Sequence, residues 1–586
     1  MTPPGTAPIL VRSTAAPLPE PEPVTEPEPV TGGAGGAQEH SQLTVAAGWR
    51  LTSGIVLGYL VLFGLTALLR VNEVGKPITY DTLNYQYYSG YAEIHGFGSP
   101  LALAGQLETY IDAQLNVVYY MLITHLPPRG VVSAIALGQS LSVSALAFLV
   151  WRFARGATTA RLMPPLAGLL AGVGALLSPI YLATIGRTSS DSLLALPLFA
   201  AVALLYHVLA ARRADRVALR SAVLAGVLLG LTAELKLTEA SYSTAIFVGF
   251  GVAVLLARSR AGWTYRRCLI LIGTVGLTAL VVAVGLYLPE ALMLWRRYHD
   301  PFFPFFNGFF RSPFLMPQSF NPGYAARTPA SVWFHFSHLL VGGNGTANGM
   351  FLDSTDFGGP LRLEPVDSPV LFFGLVITAG MLVVDMIRRD KPQAVFLEIS
   401  VLLGFVLWDV VFGYYRYLAP LEMAVVAVVI VLFLLHQDLS RPVALFALAC
   451  ALAVGTIDSQ PLKLGHRDAF GSSYFGVQPE AFRDMSGAGV VFVGSQPLGF
   501  LVADLPAGTD VVRTRGNLLQ VMSKAWWQHV ADTVDSIHRP WWVVFDAADT
   551  AIVASGLRLV GLPGTFHACH DLDTAVLVAK VCRVTA

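Results

Sequence analysis

Charge is scarce in this 586-residue chain. Asp, Glu, Lys and Arg make up 13% of it, about half of the roughly 25% usual in a soluble domain. The 38 basic and 38 acidic side chains cancel, so nothing in the net charge argues for nucleic acid or an acidic polymer as a partner. Cysteine is also sparse, with four residues and no C-x-x-C pair, so no zinc or dithiol motif is present. The start, MTPPGTAPILVRST, lacks the basic end and apolar core of a cleaved signal peptide. Clear internal repeats and a phosphate-binding glycine loop are missing too.

What fills the chain is apolar. Hydrophobic residues make up 54% of the sequence, and the mean hydropathy is +0.60. Unbroken runs such as LLALPLFAAVALLYHVLAA are long enough to cross a hydrocarbon core of about 30 Å as helices, and they lack the alternation of barrel strands. About eleven crossings are expected, at roughly 49–70, 130–152, 163–183, 190–210, 219–235, 240–257, 268–291, 367–387, 393–412, 414–436 and 441–457. The fold class is therefore an α-helical polytopic membrane protein. Before it, residues 1–45, rich in Pro and Glu, read as a disordered, solvated arm.

Basic residues fall in alternate loops: Arg152, Arg155 and Arg161; Arg212, Arg213, Arg216 and Arg220; Arg258, Arg260, Arg266 and Arg267; Arg388, Arg389 and Lys391; Arg441. By the positive-inside rule these loops and the N-terminus are cytoplasmic, and the C-terminal region lies outside a cytoplasmic (inner) membrane. For the alternation to hold, AQLNVVYYMLITHL, which precedes Pro127-Pro128, must be an interfacial or re-entrant helix rather than a span. The outer side then holds two long loops, 71–129 and 292–366, within a transmembrane domain spanning 46–457. Beyond it, residues 458–586 carry short β-branched runs, GVVFVG and WWVVFDAAD, between helix-like stretches, the pattern of a small α/β domain. Cys569 and Cys582 share that domain, either bridged, if it faces an oxidising compartment, or free.

Polar residues gather on the outer side. In YDTLNYQYYSGYAEIHG, Asp81, Tyr85 and Tyr88 share one face if the segment is a regular helix, with Asn84 and Tyr91 nearby. A carboxylate among tyrosines can take a proton from a hydroxyl; it can equally cap a helix in an aromatic interfacial belt. Arg187 and Asp191 lie in IGRTSSDS, and Glu234, Lys236 and Glu239 in TAELKLTEAS. Arg296, Arg297, His299, Asp300 and Arg311 flank a Phe-rich loop, and Arg416 lies in YYRYLAPLE. Ionisable groups near helix ends cost roughly 2.5 to 3.5 kcal/mol to insert, so they pair or serve a site. Lys236 between two glutamates fits a salt bridge, and the set also fits cations converging on phosphate. The loop YHDPFFPFFNGFFRSPFLMP suits either a substrate lid or an interfacial belt. His335 and His338 lack a visible third metal ligand, and Asn344-Gly345-Thr346 is a glycosylation sequon.

An aspartate just after the first helix, a long-helix body and an outward C-terminal domain resemble the GT-C superfamily of membrane glycosyltransferases. More narrowly, YDTLNYQYYSGYAEIHG, LKLTEASY, DPFFPFFNGFFRSP and YYRYLAPLE resemble a little-characterised bacterial branch with GT-C-like architecture, over about 70–420. The resemblance implies sugar transfer from a polyprenyl-phosphate-linked donor to a glycan or lipid acceptor at the bilayer's outer face, inverting the anomeric centre. It makes Asp81 the catalytic base, with Lys236, Arg311 and Arg416 binding the donor phosphate. Asn84, Tyr85, Tyr88 and Glu239 are the candidate substrate ligands. No cofactor is required by that mechanism. The family often pairs two acidic residues in this loop; here Thr82 follows Asp81, leaving Glu93, Glu108 or Asp112 as the second carboxylate. A lipid-linked-glycan transporter or flippase, a polymerase or ligase using diphosphate donors, and a non-catalytic scaffold are the competing classes. A cysteine placed in the 212–220 loop is expected to resist a membrane-impermeant thiol reagent in intact cells; labelling there overturns the topology.

Overall fold

Hydrocarbon offers a peptide backbone no hydrogen-bond partner but itself, so the apolar runs fold as helices. The computed structural model describes residues 34–96, 104–111, 114–157, 161–210, 216–259, 262–317, 326–340, 368–436, 466–516 and 519–585. The chain forms two units, Met1–Gly54 and Ile55–Ala586; the buried core of the helix bundle and the C-terminal sheet belong to the second. Among the described residues, nine helices are long and apolar enough to cross a membrane: Thr52–Val74, Pro128–Ala157, Asp191–Ala210, Arg216–Leu235, Leu237–Ala257, Tyr265–Tyr298, Pro369–Arg388, Pro392–Val411 and Tyr415–Leu435.

Two expectations change. The run 163–183 is not one crossing but a 14-residue helix, Met163–Leu176, and a single turn, Pro179–Thr184, because Ser178 caps a new helix start just before Pro179. The first helix begins at Ala34, within the segment read as an extended arm; no proline after Pro29 blocks its propagation back from the apolar core. The run before Pro127-Pro128 folds as Gln114–His125, 12 residues and too short to span. The proposed eleventh crossing at 441–457, residues 1–33, Asp112, Arg212, Arg213, Arg260, Arg441 and Asn344-Gly345-Thr346 lie outside the described residues.

Several polar side chains inside the bundle are paired, as burial demands. Glu422 accepts from the Ser178 hydroxyl at 2.5 Å, the Ile180 amide at 3.0 Å and the Tyr415 hydroxyl at 2.6 Å, tying the last described span to the Pro179 turn. Asp385 meets His436 Nε2 at 3.0 Å, and Asp409 meets His335 Nδ1 at 2.5 Å. His335 is thus engaged by a carboxylate from a span. Among the described residues, no His, Cys, Asp and Glu set of three or more gathers as a metal site.

The C-terminal region is joined to the segment after the first span by a two-stranded antiparallel ribbon, β1 (Lys76–Ile78) with β2 (His466–Asp468). Beyond it lies a five-stranded sheet built from β3 (Gly489–Val493), β4 (Asp510–Thr514), β5 (Trp541–Asp546), β6 (Phe566–Asp573) and β7 (Val578–Val584). Its order is β4-β3-β5-β7-β6, parallel across the first three strands and antiparallel after them. The buried Val-rich runs of β3 and β5 match a sheet covered on both faces: Lys524–Ser536 and Thr550–Leu559 pack with Val491, Val493, Val543 and Phe545 on one, and Phe482 and Phe500 with Val490, Phe492 and Val544 on the other. Cys569 and Cys582 form a disulfide between β6 and β7.

Arg216–Leu235 carries Gly226 and Gly230, a small-xxx-small pair that lets it approach Tyr265–Tyr298 backbone to backbone. A Cβ on Gly230 would lie 2.3 Å from the Ala279 carbonyl oxygen, and one on Gly226 2.7 Å from that of Val275. Gly230→Val is therefore expected to cost about 1 to 3 kcal/mol by overpacking, read as a lower melting temperature of the detergent-solubilised protein; an unchanged melt would mean that the two helices are not in register as described.

Candidate active site

Several of the polar residues singled out in the sequence, Asp81, Tyr85, Lys236, Glu239 and Arg416, converge at one end of the helix bundle. Asp81 is followed by a turn of π-helix, Thr82–Gln86, which leads into the helix Tyr87–His95. The i→i+5 pattern of that turn shifts the residues beyond it off the regular helical period, and such turns are frequent at functional sites. Asp81 Oδ2 accepts a hydrogen bond at 2.7 Å from Arg416 Nη1, across 335 residues of sequence. Gly413, with a positive φ of 61°, turns the chain between the span ending at Val411 and the Tyr415–Leu418 turn that carries Arg416.

A second ion pair lies alongside. Lys236 Nζ is 2.5 Å from Asp191 Oδ1, joining the end of Arg216–Leu235 to the start of Asp191–Ala210. Tyr417 links the two pairs: Lys236 Nζ lies 4.8 Å and the Arg416 guanidinium 5.4 Å from the centre of its ring. The Tyr242 hydroxyl donates to the Tyr417 carbonyl at 2.5 Å and fixes the turn. Glu239, one residue past Thr238, is fully buried, and neither of its carboxylate oxygens meets a donor among the described residues.

Arg187 completes the cluster from the loop before Asp191. Gln139 shapes that loop, accepting from the Gly186 amide at 2.8 Å and donating to the Arg187 and Ser189 carbonyls, both at 3.3 Å. The Arg187 side chain is 5% exposed and donates no hydrogen bond to a described residue. Burial first, then the like charges of Arg467 and Arg416, push its guanidinium well below the ordinary arginine pKa, with Tyr474 and Asp81 opposing. Lys236 and Arg416 each have a carboxylate, whereas Arg187 has only its share of Asp81's field. Arg187 is therefore a buried cation with no facing carboxylate among the described residues, which an anion placed beside it would stabilise.

The expected site residues divide. Asp81, Lys236, Arg416 and Glu239 are brought together, and Tyr85 joins them. Burial, then the charges of Asp81 and Glu108, push the Tyr85 hydroxyl well above its usual pKa, so it remains a neutral donor. Tyr88 does not share the Asp81 face; the π-turn carries it inward, where it is buried near Tyr298 and Tyr91 with its hydroxyl unpartnered. Asn84 is also redirected. Its amide donates to Glu108 Oε2 at 2.6 Å and the Gly105 carbonyl at 3.2 Å, and its oxygen accepts from Arg513, so its capacity is spent on structure. Arg311 lies exposed after the short Asn307–Phe310 turn, outside the contacts that join the other cations. Of the two described alternatives for a second carboxylate, Glu93 is exposed, whereas Glu108 is hydrogen-bonded to Asn84. Arg187 and Asp191 were visible as the polar tract IGRTSSDS between apolar runs, but nothing in that string says that they face Asp81.

No protein-family model matches the sequence, and no curated protein matches it. Solved structures do. ArnT from Cupriavidus metallidurans bound to undecaprenyl phosphate is similar with a TM-score of 0.47 and 15% identity, covering 90% of this chain and 98% of that one. Its apo state gives 0.48 and 14% over the same shares. The archaeal oligosaccharyltransferase AglB from Archaeoglobus fulgidus, in complex with an inhibitory peptide and a dolichol-phosphate, gives 0.40 and 11%, covering 87% and 71%. These are likenesses of general layout and assign no substrate or reaction.

Because the Arg187 guanidinium is buried without a hydrogen-bond acceptor among the described residues, Arg187→Gln is expected to raise the melting temperature of the ligand-free protein. The same change should weaken binding of a long-chain alkyl phosphate by about 10- to 150-fold, the value of one charge-assisted hydrogen bond of about 1.5 to 3 kcal/mol. Calorimetry and a thermal melt of the same preparation check both; a variant that binds as well as the parent removes Arg187 from the site.

Proposed function

We propose that this chain is a GT-C-type glycosyltransferase that moves a sugar from a polyprenyl-phosphate donor to a glycan or lipid acceptor at the outer face of the cytoplasmic membrane, with inversion. The observation that carries this reading is the arrangement of Asp81 directly against Arg416, beside the unpaired Arg187, at one end of a membrane-spanning bundle. A base and a phosphate-binding surface are then within one cluster, as displacement at a phosphate-bearing carbon requires.

Asp81 accepts the proton of the acceptor hydroxyl as that oxygen attacks the anomeric carbon. The bond from that carbon to the phosphate oxygen breaks, and its electron pair leaves with the polyprenyl phosphate. Negative charge grows on the leaving phosphate, where Arg187 supplies the uncommitted guanidinium and Arg416 and Lys236 the flanking charge. Arg416 touches the base and also borders the anion, so it fixes their separation. Glu239, buried and without a donor, is suited to accept hydrogen bonds from sugar hydroxyls. Tyr85 stays protonated and can donate to the same substrate. Arg311, exposed and apart, has no part in this scheme. Every step is carried by side chains.

Asp81→Asn keeps the size and most of the hydrogen bonding while removing the base. It is expected to lower kcat for transfer from a polyprenyl-phosphate sugar in proteoliposomes by about 10²- to 10⁴-fold, the usual share of general-base catalysis. Binding of the lipid phosphate should stay within a few-fold of the parent. Full retained transfer would remove Asp81 from the base role, and movement of lipid across the bilayer without transfer would favour a flippase.

A further inference from the structure

We infer that the C-terminal domain is a working part of the active site: Arg513 on β4, acting through Asn84, is a positioning residue that holds Asp81. This rests on the reading of Asp81 as the base. Arg513 is fully buried and meets no carboxylate among its hydrogen-bond partners. Its guanidinium instead reaches across the junction between the sheet and the first outer segment. Nη1 donates to Asn84 Oδ1 at 3.1 Å and to the Ala104 carbonyl at 2.8 Å. Nη2 turns back into its own domain, to the Gly494 carbonyl at 3.2 Å and the Gln496 carbonyl.

Asn84 sits inside the π-helical turn that Asp81 opens. The same domain also grips the residue before Asp81: the Tyr80 hydroxyl donates to the Ser495 carbonyl at 3.3 Å and receives Gln106 Nε2 at 2.6 Å. Asp81 is thus bracketed, one residue before and three after, by contacts to a domain more than 400 residues away in sequence. The fit is close on the backbone side as well. Gly499 packs so near the Asn84 carbonyl that a Cβ there would lie 1.9 Å from its oxygen. A π-helical turn is a locally unfavoured backbone that persists where its surroundings over-determine it, and these contacts supply that determination.

The cost of burying the Arg513 charge is offset by four oxygen acceptors split between the two parts, so the guanidinium favours the docked arrangement over either part alone. A general base must hold its place to within a fraction of an ångström, and an error of about 1 Å can cost about 10²-fold in rate. Arg513 touches neither Asp81 nor the cation cluster; its effect passes through the backbone of residues 80–84.

The test uses the full chain in nanodiscs, with two readouts. For Arg513→Met, amide hydrogen exchange in peptides covering 79–87 should rise by at least tenfold while β3 and β5 remain protected. In the transfer assay, kcat should fall by about 10²-fold with KM for the lipid donor within twofold, and R513M should add little to the loss in D81N. Arg513→Lys, with one point charge for two forks, should recover part of kcat. Unchanged exchange at 79–87, or a kcat equal to the parent's in a folded protein, overturns the inference. If R513M fails to fold, Tyr80→Phe removes the second grip more gently and should raise exchange over the same segment; parent-like exchange there overturns it equally. Full activity in D81N would instead remove the base reading, while the exchange arm still decides whether the domain holds the segment.

Discussion

The 2.7 Å ion pair between Asp81 and Arg416 is the contact around which this end of the bundle is arranged. It ties the segment just after the first span to the turn that begins the last described one, across 335 residues of sequence. Both side chains keep some exposure, 14% and 16%, so the pair is neither sealed in hydrocarbon nor fully in water. In that intermediate setting, a carboxylate and a guanidinium are worth more to each other than at a surface, and their separation is set by the helices that carry them. Around the pair, Tyr417 spaces Lys236 from Arg416, and the Gln139-braced loop brings in Arg187.

The cluster separates committed from uncommitted charge. Lys236 and Arg416 each face a carboxylate, whereas Arg187 Nε and both Glu239 carboxylate oxygens are buried with no hydrogen-bonding partner among the described residues. A resting site with one stranded cation and one stranded carboxylate is poorly optimised for stability. It is suited to a ligand with anionic oxygens at one end and hydroxyls at the other, which a phosphate-linked sugar has. Elsewhere in the bundle, Glu422 shows the contrasting case, a buried carboxylate with all its donors supplied by the protein.

Much of this was legible before any coordinates. Length and apolarity disclosed the spans, and Asp81, Lys236, Glu239 and Arg416 stood out because ionisable groups near helix ends need a reason. The break at Pro179 was harder to read, since Met163 to Ala183 is continuously apolar apart from Ser178. The π-turn was invisible: extending a 3.6-residue period from Asp81 put Tyr88 on the reactive face, and one wider turn moved it inside. Asn84 looked available because its partner, Arg513, lies 429 residues away, beyond any local pattern. Arg187 could be seen as polar, but not as unpaired, because pairing is a property of three dimensions.

The ribbon that joins Lys76 to Asp468 has a bearing on how the protein comes into being. Its two strands are separated by nearly the entire helical body, so the contact forms only after that body has been synthesised and inserted. Until residues 466–516 emerge, the first outer segment has its aspartate and its π-turn sequence, but neither the pairing strand nor Arg513 to brace it. Such a late, long-range closure is slow to form and makes completion of the chain a condition for an ordered segment around Asp81. A nascent or truncated chain would therefore have its spans in place while the segment around Asp81 stays unbraced.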